Sequence, residues 1–106
     1  MFDVVGTTFD VLAEPNRRRI LDALLEAPRS VTELVDGLHL SQPQASKHLR
    51  VLRDAGLVRV HRVAQRRLYE LRPEPLAEVD ACLTPYRRLW ARSLDALERH
   101  LDEGTE

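Results

Sequence analysis

The centre of the chain reads LSQPQASKHLRVLRDAGLV, from Leu40 to Val58. Ser41 is a preferred N-cap residue and Pro43 suits a first helical turn, so we predict a helix over about residues 41–55. Its apolar side is a narrow stripe at helical spacing, formed by Ala45, Leu49 and Leu52. Gly56 follows at a position where helices often end in a left-handed residue.

The narrow stripe leaves most of this helix polar, which suits a helix that reads nucleic acid. Glutamine amides can pair with adenine edges, Arg and Lys with guanine edges or phosphates, and Ser with either. Recognition helices contact bases mainly through their N-terminal residues. We therefore predict base reading by Gln42, Gln44, Ser46 and Lys47. Arg50 is assigned to phosphate, and the backbone amides at Ser41 and Gln42 can hold another phosphate at the helix start.

The residues before this helix predict three further helices. Phe9 and Leu12 indicate a short helix over about residues 7–14. Pro15 opens a second helix with an apolar repeat at helical spacing, formed by Ile20, Leu21, Leu24 and Leu25. Ser30 and Glu33 form a capping-box pattern that opens the third, and Gly37 is predicted to close it.

The residues after the helix predict a hairpin. Residues 58–63 alternate in polarity, and residues 67–71 do so less cleanly, so a two-stranded wing is predicted over about 57–72 with a turn at 64–66. Its tip is strongly basic, with Arg62, Arg66 and Arg67. Guanidinium groups so close together repel one another, and a DNA phosphate or the minor groove would supply their counter-charge. The alternative interpretation is a solvated loop.

A long last helix is predicted over about residues 75–102, after Pro73. Its apolar residues are separated by three or four positions, close to a heptad seam: Leu76, Val79, Leu83, Tyr86, Trp90, Leu94, Leu97 and Leu101. Two short helices joined by a tight turn and followed by a hairpin form a winged helix-turn-helix. The predicted fold is therefore mostly α-helical with one small β-hairpin, in the order α-α-α-α-β-β-α.

Length and charge narrow the class of protein. The 106 residues suit a single domain spanning 1–106, and the net charge is −1. Residues 29–72 carry nine Lys and Arg against four Asp and Glu, or +5, between segments of −2 (1–28) and −4 (73–106). A basic middle between acidic ends fits one local surface for a polyanion, although a solvated basic face would give the same count.

Several other classes of protein are disfavoured. There is no apolar run long enough for a membrane span and no signal-peptide pattern at Met1–Val5, so we expect a cytoplasmic protein. Four glycines make no phosphate-binding loop, and no nucleophile elbow or metal-protease motif occurs, so no enzyme and no catalytic residue is predicted. The single cysteine, Cys82, is expected to be a packed, buried residue rather than a redox switch.

The quoted motif resembles the helix-turn-helix of ArsR-type bacterial transcriptional regulators, with its pattern Ser-Gln-x-x-x-Ser-x-His-Leu-x-x-Leu-x-x-Ala-Gly-Leu-Val. Residues 9–34 and 66–71 resemble the preceding helices and the second wing strand. The resemblance implies a homodimeric repressor that releases DNA when a signal binds, with its first and last helices at the dimer interface. The residues expected there are Phe9, Leu83, Tyr86, Trp90, Leu94 and Leu97.

Many relatives of this type bind metal, at one of two positions. The first, a Cys-x-Cys-type motif before the recognition helix, falls on residues 33–38, which contain neither Cys nor His. The second, Asp-x-His and His-x-x-Glu on the last helix, is matched only by halves. His100 and Glu103 place the other half on Arg87 and Leu89, while Asp80 and Cys82 place it on Ser93 and Ala96. We therefore predict no metal and no cofactor.

The sequence thus predicts a sequence-specific DNA-binding transcriptional regulator. Its expected partners are double-stranded DNA, at an inverted-repeat operator, and a second copy of the chain, with no membrane. Two alternatives stay open at this point. One is a metal-responsive repressor whose divergent site forms across the dimer interface, and the other is a winged-helix module used for protein contact. No residue pattern identifies an effector.

Overall fold

The computed structural model describes residues 3–104. The ends of the predicted domain, Met1, Phe2, Thr105 and Glu106, lie outside the described residues. Met1 and Phe2 also belong to the segment considered above for a signal peptide. The elements in chain order are α1 (Val4–Leu12), α2 (Pro15–Glu26), α3 (Val31–Leu38), α4 (Gln42–Asp54), β1 (Val58–Val63), β2 (Arg66–Leu71) and α5 (Glu74–Glu103). This order confirms the predicted winged helix-turn-helix.

The core lies where the apolar stripes of α2, α3 and α4 meet the base of the hairpin. Its fully buried side chains are Ile20, Leu34, Ala45, Leu49, Leu52, Leu57 and Val58. The predicted stripe of α4 therefore faces inward in full. Because this stripe is narrow, α4 is anchored along one side, with His48 and Val51 half-buried beside the stripe, while most of its polar residues stay in solvent.

Three predicted boundaries are wrong for identifiable reasons. The first helix spans Val4–Leu12 rather than residues 7–14, because the Asp3 carboxylate caps its start and Glu14 already caps α2. Gly37 does not close α3: the helix continues through Leu38, and His39 takes the left-handed conformation at φ 57°. Leu38 and Leu40 both pack on the core, so the chain turns only after Leu38 has reached it. Arg66 is not part of the hairpin turn, because it pairs with Val63 in the ladder and leaves a two-residue turn.

Three consecutive arginines of α2 hold the ends of two other helices. Arg17, Arg18 and Arg19 donate hydrogen bonds at 2.8, 2.5 and 2.6 Å to the carbonyl oxygens of Val11, Leu12 and Leu38 respectively. The last carbonyls of a helix lack partners within it, and cations there also interact favourably with the helix dipole. These side chains therefore fix α1 and α3 against α2.

One pairing ties the hairpin to the connection between α2 and α3. Arg29 and Tyr69 exchange two backbone hydrogen bonds of 3.0 and 2.7 Å, which form an isolated antiparallel bridge. The outer edge of β2 is thereby partly covered. The wing is held to the body of the protein both by this bridge and by the packing of Val58 in the core.

The last helix, α5, leaves the body of the protein after its first turns. Val79 is buried and Leu76 packs on the core, whereas every residue from Asp80 to Gly104 except Thr84 is exposed. Pro85 has no N–H to donate inside this helix. Arg87 spans the weakened turn by donating to the carboxylate of Asp80 at 2.5 Å and to its carbonyl oxygen at 3.2 Å.

Candidate nucleic-acid interface

The start of α4 is fixed by a reciprocal cap. The Ser41 hydroxyl accepts a hydrogen bond from the Gln44 backbone N–H at 3.2 Å, and Gln44 Oε1 accepts one from the Ser41 N–H at 3.0 Å. This is a second capping box, in the Ser-x-x-Gln form, which the sequence analysis missed although its spacing equals that of Ser30 and Glu33. Of the Gln44 side chain, the amide NH₂ group remains to donate elsewhere.

The predicted reading residues all lie on the solvent side of α4. Ser41, Gln42, Gln44, Ser46, Lys47 and Arg50 are exposed. Successive residues of a helix are rotated by about 100°, so Lys47 and Arg50 lie on the face opposite the buried stripe, and Ser46 lies beside them towards Tyr69 of the hairpin. Gln42 and Gln44 flank this face on opposite sides. The helix therefore presents one continuous polar surface, with Lys47 near its centre.

His48, within the same helix, does not belong to this surface. Its side chain is 12% exposed, and Nε2 lies 3.7 Å from Oε2 of Glu14, the N-cap residue of α2. Within residues 3–104, Nδ1 is buried and has no hydrogen-bond partner. His48 therefore packs against the start of α2.

The hairpin places two of the three arginines at its tip side by side. Arg62 and Arg67 are directly opposite each other in the ladder, in the row that continues Val60–Tyr69 and Val58–Leu71. Both are exposed, and neither forms an ion pair within the described residues. Like charges directly opposite one another destabilise a β-ladder. The pair is therefore a local excess of positive charge that an external anion would relieve.

This row of the hairpin faces the recognition helix. Tyr69 lines a cleft together with Ser46, Arg50 and Arg53 of α4. Side chains two residues apart in a strand point to the same face, so Arg67 extends the Tyr69 side of β2 towards the tip. The structure thus brings the polar surface of α4 and the Arg62–Arg67 pair to the same side of the protein.

The third basic residue of the tip has a different environment. Arg66 Nη2 donates to Oε1 of Glu33, in the first turn of α3, and so forms an ion pair that the sequence did not predict. Hydrogen bonds from Ser30, chiefly from its backbone N–H, together with the charges of Arg66 and Arg29, hold the pKa of Glu33 below its ordinary value. Of the three guanidinium groups expected to lack a counter-charge, Arg66 is therefore paired with Glu33, and only Arg62 and Arg67 form no ion pair within the described residues.

The residues predicted for the dimer interface form an exposed apolar surface. Phe9, Leu83, Tyr86, Trp90, Leu94 and Leu97 are 37–66% exposed. Leu101 continues this row, and Leu89, also exposed, was not predicted. The prediction of a buried Cys82 is wrong for this chain, since the residue lies in the exposed part of α5. Within residues 3–104, every position of α5 from Asp80 onwards except Thr84 is exposed.

No metal centre is formed within residues 3–104, where no three His, Cys, Asp or Glu side chains come together in a geometry suited to a metal ion. Asp80, one of the half-site residues, is paired with Arg87. Over the same residues, no helix combines the length and apolar character needed to cross a membrane.

Comparison with known proteins identifies the family. The model for bacterial regulatory proteins of the arsR family matches residues 14–60. The chain is 37% identical over 99 residues to the HTH-type transcriptional regulator Rv2034 of Mycobacterium tuberculosis, over 92% of this chain and 90% of that one. It is 40% identical over 79 residues to the HTH-type transcriptional repressor SmtB of the same species. That match covers 74% of this chain and 58% of SmtB.

A solved structure gives the same result. The ArsR-like transcriptional regulator from Rhodococcus sp. RHA1 matches 91% of each chain with a TM-score of 0.73 and 27% identity. The fold and its exposed recognition helix define a winged helix-turn-helix protein. The chain belongs to the ArsR family and is a DNA-binding transcriptional regulator, not an enzyme.

Proposed function

We propose that this protein is a homodimeric repressor that binds an inverted-repeat operator. In this proposal α4 enters the major groove, where Gln42, Gln44, Ser46 and Lys47 contact bases and Arg50 contacts phosphate. The observation that carries it is the uncompensated Arg62–Arg67 pair on the side of the protein where α4 is exposed. An anion that reached both surfaces at once would have to be extended, as a DNA backbone is.

Dimerisation is proposed through α5 and α1. The exposed residues of α5 recur at three- and four-residue spacing, which places them in one row along the helix. Large exposed apolar surfaces are uncommon on monomers and mark sites of association. A symmetric dimer would present two recognition helices to successive major grooves, so the half-site centres should lie about 10–10.5 base pairs apart.

Repression follows from this geometry if the operator overlaps a promoter, because a dimer bound there blocks the polymerase. We propose that the protein acts in the cytoplasm and without metal at the two family positions. Residues 33–38 offer no thiolate or imidazole ligand, and the α5 position offers only half-sites. Equilibrium dialysis against zinc tests this part, and tight binding that changes the affinity for DNA would favour the metal-responsive alternative.

Fluorescence anisotropy tests DNA binding. The protein is titrated into the DNA upstream of its own gene and into a scrambled duplex, at several salt concentrations. We expect preferential binding to the first duplex, and an Arg67→Gln variant that weakens binding to both and lowers the salt slope by about 0.9 per protomer. Arg92→Gln is the matched control, because Arg92 is exposed on α5 on the side opposite Trp90 and far along the chain from the wing.

The other outcomes discriminate between the alternatives. Weak, equal and steeply salt-dependent binding to both duplexes would mean a basic surface without sequence preference at this site. Absence of binding to either duplex would contradict the proposal and favour the protein-contact module. If Arg92→Gln lowered the affinity for DNA as much as Arg67→Gln, net charge rather than the wing would control binding.

A further inference from the structure

We propose that Glu33 sets the affinity of the wing for DNA, by acting as an internal counter-ion that a phosphate must replace on Arg66. The inference rests on the proposed function and concerns regulation of the same interface. In the DNA-free protein the carboxylate of Glu33 forms an ion pair with the Arg66 guanidinium. When the hairpin tip reaches DNA, Arg66 exchanges this carboxylate for a backbone phosphate. Glu33 then keeps only its weaker ion pair with Arg29, whose Nη1 lies 4.0 Å from Oε2.

The position of Glu33 is fixed independently of Arg66. Its Oε1 accepts a hydrogen bond from the Ser30 backbone N–H at 3.1 Å, and its own N–H donates to the Ser30 hydroxyl at 3.2 Å. This capping box holds the carboxylate at the start of α3. Arg66 therefore pairs with a carboxylate that is already held in place. Forming the ion pair costs little further conformational entropy of the Glu33 side chain.

The hairpin end of the pair is also held in place. The bridge between Arg29 and Tyr69 fixes β2 three residues from Arg66, so the strand cannot move far from α3. Arg66 and Arg67, with Gln65, line an open cleft whose opposite wall is the first turn of α3, including Thr32 and Glu33. The ion pair thus bridges the cleft between two anchored elements.

The exchange is physically accessible. The side chains of Arg66 and Glu33 are 61% and 39% exposed, so a phosphate can reach the guanidinium from solvent. Exposed ion pairs contribute little stability, whereas an Arg–phosphate contact is charge-assisted and releases a counter-ion from the DNA. The phosphate is therefore the stronger ligand of Arg66. Because the ion pair with Glu33 must first be broken, Glu33 lowers the net free energy gained when the phosphate binds.

Glu33→Gln tests the proposal. Glutamine at this position still satisfies the capping box, so α3 keeps its start while the carboxylate charge is lost. We expect the variant to bind the operator about two- to fivefold more tightly, the range of a surface ion pair that no longer has to be broken. The salt slope should become steeper by up to about 0.9 per protomer, because Arg66 then starts from an unpaired state.

The control is Asp36→Asn, which removes the same charge from an exposed residue of the same helix that does not line the cleft. Asp36→Asn should change the affinity for DNA less than Glu33→Gln does. Its effect should be the same in the wild-type protein and in the Arg66→Gln variant. The effect of Glu33→Gln should disappear when Arg66 is already Gln. This dependence on Arg66 separates an exchanged ion pair from a general change of net charge.

Two results would overturn the proposal. If the wild-type protein binds the operator and Glu33→Gln changes neither affinity nor salt slope, or weakens binding at a temperature at which both proteins are folded, the pair persists on DNA and the exchange is wrong. If the wild-type protein binds no duplex, the proposed function and this inference both fail. The wild-type titration therefore distinguishes the two failures.

Discussion

Gln44 combines two roles that are usually assigned to different residues. Its side-chain oxygen completes the cap of α4, while its NH₂ group lies at the edge of the surface predicted to read bases. Substitution by alanine would remove both, so a loss of DNA affinity in that variant would not identify a base contact. Glu33 presents the same problem at the start of α3, where capping and the Arg66 ion pair meet in one carboxylate.

Gln44→Ala should lower the free energy of unfolding by about 0.5–1 kcal/mol, because the Ser41 N–H loses its acceptor. Gln44→Glu restores the acceptor and should stay within about 0.5 kcal/mol of the wild type. Urea titration measures both values, with Gln42→Ala as a control at an exposed neighbour that takes no part in the capping box. A Gln44→Glu protein as unstable as Gln44→Ala would show that the cap contributes nothing.

Glu33 should also make stability depend on pH. Its pKa is lowered in the folded protein from an ordinary value of 4.5, chiefly by the Ser30 backbone N–H. The stabilisation is therefore present above about pH 4.5 and is lost as the pH falls through the lower folded pKa. Melting temperatures of the wild type and Glu33→Gln should differ most near neutral pH and converge in acid. A difference independent of pH would exclude this carboxylate as the cause.

At the scale of elements, local signals predicted most of the fold. Caps, prolines and the period of the apolar residues indicated five helices and one hairpin, because each of these signals is contained within a short segment. The Arg29–Tyr69 bridge was missed because one paired residue has no periodicity. The Arg66–Glu33 pair was missed because its members are 33 residues apart and meet only after the hairpin has folded back on α3.

The wing turn contains a residue poorly suited to its backbone. Ala64 has φ 57°, a region that glycine adopts without steric cost and alanine does not. Ala64→Gly should therefore raise the free energy of unfolding by about 0.5–1 kcal/mol, measured by urea titration. Ala96→Gly, at an exposed helical site of α5, should instead lower it by about 1 kcal/mol. Destabilisation by both changes would contradict the strain assigned to the turn.

At the scale of the whole molecule, the chain consists of a packed body and a long exposed helix. The body contains the recognition helix and wing, and its core is closed by residues from all the other elements. Most of α5 lies outside it, with its apolar row uncovered. The sequence predicted this row correctly as a helix face, but periodicity cannot distinguish a face buried within one chain from a face buried between two. Leu76 and Val79 at its start belong to the first kind, and the later residues remain candidates for the second.

Trp90→Ala should weaken the proposed dimer at least tenfold, because large aromatic side chains near the centre of an interface often contribute about 2 kcal/mol or more. Sedimentation velocity over a range of micromolar concentrations measures the change. Leu25→Ala is the control, since Leu25 is 68% exposed on α2, outside the proposed interface. A Trp90→Ala protein that sediments as the wild type would exclude this face.

The exposed length of α5 also bears on how long each chain survives. From Asp80 to Gly104 every residue of the helix except Thr84 is exposed, and a segment with so little buried surface opens at low free-energy cost. Arg87, Arg88, Arg92 and Arg99 lie on it as cleavage points for a trypsin-like protease. If pairing covers the helix, newly made chains without a partner are degraded first, and the supply of the regulator is limited by how quickly two copies meet.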